Sequence, residues 1–125
     1  MSHNVIIEFR ITSLTNLKEA CAEVGFEFVE GQRTFKSYQA GICNHAIKIP
    51  GAEYEVGVMI KSDGTYGLAW DPYPIGGLIN KVGHDAAVLK QGYRKIQIQH
   101  EARRMKKRII LEEKLEGNVI HVRLG

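Results

Sequence analysis

From Asn4 to Ile11 the chain alternates, with Val5, Ile7, Phe9 and Ile11 on one side and Glu8 and Arg10 on the other. Strict alternation marks a half-buried β-strand. The period then changes. After Thr12 and Ser13, both good N-caps, Leu14, Leu17, Ala20, Cys21 and Val24 recur at helical spacing, and Gly25 suits the position just past a helix end. A helix over 14–24 is therefore predicted. Phe26–Val29 reads as a short strand, Thr34–Tyr38 and His45–Ile49 as weaker ones, and Pro50-Gly51 as a turn. Tyr54–Ile60 and Tyr66–Trp70 flank Ser62-Asp63-Gly64-Thr65, which is hairpin chemistry.

Two prolines in Asp71-Pro72-Tyr73-Pro74 end the sheet segment, because neither can donate to a strand ladder. A short helix is predicted over Ile75–Val82 and a long one over about Asp85–Lys107. Ile109–Leu115 and Val119–Leu124 are read as a closing hairpin around Glu116-Gly117-Asn118. The pattern as a whole predicts an α+β fold. It has a mainly antiparallel sheet, a short N-terminal helix and a long helix in the C-terminal half packed on one face, and a closing β-hairpin. With 125 residues, 44% hydrophobic and 25% charged, the chain is expected to form one domain spanning 1–125.

The long helix is apolar on two sides. At 100° per residue Ala86, Leu89, Tyr93, Ile96 and His100 fall within about 60° of one direction, while Ala87, Ile98, Ala102 and Met105 lie opposite. Such a helix is covered twice: once by its own sheet, and once by the 75–82 helix, a second subunit or a partner.

Charge sharpens this picture. Arg94, Lys95, Arg103, Arg104, Lys106, Lys107 and Arg108 stand against one acid, Glu101, so the segment 94–108 carries +6. The whole chain carries +3, which leaves −3 for the remainder. The cations are scattered around the helix circumference, and five of them crowd its C-terminal end, where they favour the macrodipole. Three uses are open to them: a solvated helix end, a protein partner, or the phosphates of nucleic acid.

Candidate chemistry is sparse. His3, His45, His84, His100 and His121 and the cysteines Cys21 and Cys43 show no HExxH or Cys-x-x-Cys spacing, so no metal or other cofactor is expected. No serine occupies a nucleophile elbow, and Gly76-Gly77 lacks the lysine and spacing of a phosphate loop. No catalytic residue is assigned, and a non-enzymatic protein is expected. The start of the chain shows no basic-then-apolar leader and no apolar run could span a bilayer, so a cytoplasmic protein with reduced thiols and no membrane partner is expected. One loop stands out: Trp70, Asp71 and Tyr73 combine the only tryptophan with a second aromatic and a carboxylate in a stiff turn. That combination suits recognition, although an aromatic strand end more often closes a core. The partner-binding candidates are thus Trp70, Asp71, Tyr73, Arg103, Arg104 and Lys107.

Several residues carry a resemblance. Met1-Ser2-His3 leads into a strand, and Glu19-Ala20-Cys21 lies in the first helix. Ile49-Pro50-Gly51 with Tyr54, Asp71-Pro72-Tyr73, Leu89-Lys90-Gln91-Gly92-Tyr93 and Glu101-Ala102-Arg103 follow. Over almost its whole length the chain resembles the small family that includes hypothetical chloroplast reading frame 35 and its bacterial and phage relatives. It departs at Met105-Lys106-Lys107, where family members have a glycine, and at Glu116-Gly117-Asn118-Val119, where they turn with Asp-Gly-Ser-Ile. The resemblance brings no established activity to carry over; it implies an accessory or adaptor role, with relatives encoded near ATPases of the AAA type. The expected function is accordingly a non-enzymatic binding or adaptor protein that engages a protein partner or its own copies. A nucleic-acid-associated protein using 94–108 and a small-molecule or nucleotide binder are the alternatives.

Overall fold

The computed structural model describes the backbone of residues 4–116 and the side chains of residues 4–108. Among these residues seven strands and three α-helices follow one another. They are β1 (Val5–Ile11), α1 (Leu14–Val24), β2 (Glu27–Val29), β3 (Thr34–Phe35), β4 (Gly41–Ile42), β5 (His45–Lys48), β6 (Glu55–Ile60), β7 (Tyr66–Trp70), α2 (Leu78–Val82) and α3 (Ala87–Glu116). Single 3₁₀ turns lie at Pro74–Gly76 and His84–Ala86. The fold is α+β. Its main sheet is antiparallel with strand order β1-β7-β6-β5-β2, and β3 and β4 form a separate hairpin.

Alternation sorts the sheet into two faces. Ile7, Ile11, Ile47, Val56, Val58, Leu68 and Trp70 point to the side that carries Leu17, Ala20 and Cys21 of α1, Leu78 and Val82 of α2, and Leu89, Tyr93 and Ile96 of α3. All are buried, and they form the principal core. The opposite face carries a floor of small residues in register, Ala46 beside Gly57 and Gly57 beside Ala69. Phe35 lies on that floor, packed with Cys43, Ala46 and Ala69. A Cβ on Gly57 would fall 2.4 Å from the Phe35 ring and one on Gly41 2.2 Å from it, so only glycine admits the aromatic between them. The β3–β4 hairpin is thereby fastened to the face the helices leave open.

α1 is bounded as its sequence predicts. Ser13 is extended (φ −128°, ψ 112°) and its Oγ accepts the Asn16 amide at 3.1 Å, satisfying one of the free N–H groups of the first turn. At the other end Gly25 is left-handed (φ 85°), and the amides of Gly25 and Phe26 donate back to Ala22 and Cys21, a Schellman closure. The β6–β7 turn is held by Asp63, whose Oδ1 accepts the amide of Thr65 at 2.9 Å and its hydroxyl at 2.6 Å.

The structure corrects three expectations. Thr34–Tyr38 is strand only over Thr34–Phe35, because its partner β4 is two residues long. The long helix begins at Ala87, not Asp85, because Asp85 (φ 55°) and Ala86 (φ 56°) are both left-handed and break the chain from α2. At its far end α3 continues to Glu116, so the first arm of the expected closing hairpin, Ile109–Leu115, is helical. Leu111, Glu112, Glu113, Lys114 and Leu115 are strong helix formers, and no glycine or proline follows Gly92 until Gly117. The second arm, 119–124, lies outside the described residues.

Candidate functional site

α3 runs antiparallel to α1. Gly92 lies against Ala20 and Val24, Lys95 Nζ is 2.5 Å from Glu23 Oε1, and His100 Nε2 is 2.8 Å from Glu19 Oε2. Farther on, Gln97, His100 and Arg104 border Thr12, Ser13 and Asn16 in a surface cleft of about 370 Å³ at the start of α1. Tyr93 fixes this arrangement, its hydroxyl accepting the amides of Thr12 (3.0 Å) and Ser13 (3.2 Å). Phe9 meets Tyr93 edge-on at 5.4 Å and is overlaid by the Lys90 ammonium and the Arg94 guanidinium at 5.9 and 5.3 Å.

Ile96 is the last buried residue of α3 among those described, and His100 is half-buried. Every residue from Glu101 to Arg108 is exposed. Thirty residues of helix measure about 45 Å, of which the 101–116 part makes up about 24 Å. Among the described side chains, those from Ala87 to Ile96 root α3 in the domain and those from Glu101 to Arg108 stand free of it.

With the core direction known, the scattered cations resolve into two groups. Arg103, Arg104 and Lys107 continue the direction of Leu89, Tyr93 and Ile96, on the side where the core has ended. The opposite side carries the second apolar stripe, in which Ile98 is 66% and Met105 42% exposed and Ala102 is also exposed. The expectation that the 75–82 helix covers this stripe fails: Leu78 and Val82 of α2 are buried in the principal core, and Ile75 is itself exposed. Around the stripe lie Lys95 and Lys106 on one flank and Arg94, Glu101 and Arg108 on the other. Among the described residues, Arg103, Arg104, Lys106, Lys107 and Arg108 enter none of the ion pairs.

The Trp70–Tyr73 loop is a different kind of place. Trp70 is 3% exposed and belongs to the core, and Asp71 is fully buried. The carboxylate of Asp71 accepts the Tyr38 amide at 3.1 Å and the Tyr73 amide at 3.0 Å, tying the loop after β3 to the end of β7. Tyr38, Tyr54 and Tyr73 gather around it. Burial first, then the charge of Asp71, raises the Tyr54 hydroxyl above its ordinary value. Tyr73 and Tyr38 remain partly open to solvent. Trp70 pairs with Val5 at one end of β1, whereas Arg104 lies by Thr12 beyond the other. About 20 Å of strand separates them, so the six candidate residues form two regions and not one.

Glu55 reads in the sequence, beside Glu53, as an ordinary surface carboxylate, and the structure corrects this. It is nearly buried, and its Oε1 accepts the Lys36 amide at 2.8 Å and the Gln32 side chain at 2.9 Å, holding the segment that carries Phe35. Among the described residues no three His, Cys, Asp or Glu side chains gather as metal ligands, and no helix is long and apolar enough to cross a membrane. Compared with family models, curated proteins and solved structures, the chain matches none.

Proposed function

We propose that this is a non-enzymatic binding protein whose working surface is the outer half of α3. One observation carries the reading: past Ile96 the helix continues with all eight residues Glu101–Arg108 exposed, beside an uncovered stripe of Ile98, Ala102 and Met105. Most helices in proteins are stabilised by packing an apolar face, and this stretch of α3 has such a face with nothing described upon it. Exposed apolar side chains at helical spacing, rimmed by charge, are what a groove or a second helix recognises. The Asp71 loop contributes a rigid scaffold, with Tyr73 and Tyr38 as its only open aromatics.

The resemblance noted in the sequence makes an ATPase of the AAA type the first partner to test. The nucleic-acid reading draws on the same cations. It is less well supported because Arg103, Arg104, Lys106, Lys107 and Arg108 spread around most of the helix circumference, so no single face collects them. A small-molecule reading needs a concave site with converging polar groups, and the cleft bordered by Ser13, His100 and Arg104 is open at the surface.

The test is co-purification from the host. The tagged wild type should bring down a stoichiometric protein, and Ile98→Glu with Met105→Glu should lose it while keeping the wild-type melting temperature. Retention of the partner by the double variant would refute the reading.

A further inference from the structure

We draw no further inference here: the strongest candidate, the uncovered apolar stripe of Ile98, Ala102 and Met105 along the outer half of α3, belongs to the surface already described, and nothing in the structure shows what covers it.

Discussion

The hydroxyl of Tyr93 lies 3.0 Å from the amide nitrogen of Thr12, so a side chain in the root of α3 closes the turn between β1 and α1. It also accepts from Ser13, the N-cap of α1. One phenol therefore sets the start of α1 and the direction in which α3 leaves the domain. Tyr93→Phe leaves these amides without their acceptor and should cost about 1–2 kcal/mol. Chemical denaturation measures the loss, and amide exchange should quicken at Thr12 and Ser13.

Asp71 separates a structural role from a recognition role. It is fully buried and binds the amides of Tyr38 and Tyr73. Asp71→Ala should destabilise the protein by about 2–3 kcal/mol, through two amides left without their charged acceptor. Partner binding at low temperature, where the variant is still folded, should match the wild type; pull-down beside a thermal melt distinguishes the two effects.

Burial raises both thiols. Cys21 is pushed up to about 12, and Cys43 is raised chiefly by burial, opposed by a hydrogen bond at Val58 and by Arg33. Only a thiolate reacts readily. Neither cysteine should be alkylated by iodoacetamide in the native protein at mildly alkaline pH, and both should react at once in denaturant. Mass spectrometry over time reads the difference.

The imidazole of His45 is held below its ordinary value, first by burial and then by Lys18 and Arg33, with Glu30 opposing. Its Nδ1 accepts the Gly31 amide at 2.9 Å, which requires that nitrogen to be unprotonated. The unfolded chain thus takes up a proton that the folded chain resists. The stabilisation is complete above the ordinary histidine value of about 6.5, declines as pH falls below it, and levels off once the folded imidazole protonates too. Urea midpoints at about pH 7.5 and about pH 5.5 should show that decline in the wild type and a smaller one in His45→Asn.

Much of the fold was legible where one periodicity ran long enough to be read. β1 announced itself by alternation, α1 by Ser13, Gly25 and its apolar stripe, and the β6–β7 hairpin by Asp63-Gly64. The failures share a cause. Two-residue strands such as β3 and β4 have no period, and their hairpin exists because Phe35 finds the Gly57 floor, a contact that no local pattern encodes. Ile109-Ile110 suggested a strand, but the helix formers after it carried α3 onward. The left-handed Asp85 and Ala86 follow no sequence signal in Asp-Ala-Ala. The site was half-legible: two apolar sides of α3 appeared in the sequence, but which one the domain covers depended on where α1 and α2 pack. For Trp70 and Asp71 the sequence left recognition and core closure both open, and the end of β7 turns them into the core.

The central claim is that Met105 and Ile98 face a partner in the cell. Replacing each in turn with a photo-crosslinking phenylalanine in the native host, with Ile6 and Tyr73 as exposed controls, tests it most directly. The account predicts one discrete protein adduct from positions 98 and 105 and none from positions 6 and 73. Adducts from Tyr73 with none from Met105 would contradict it.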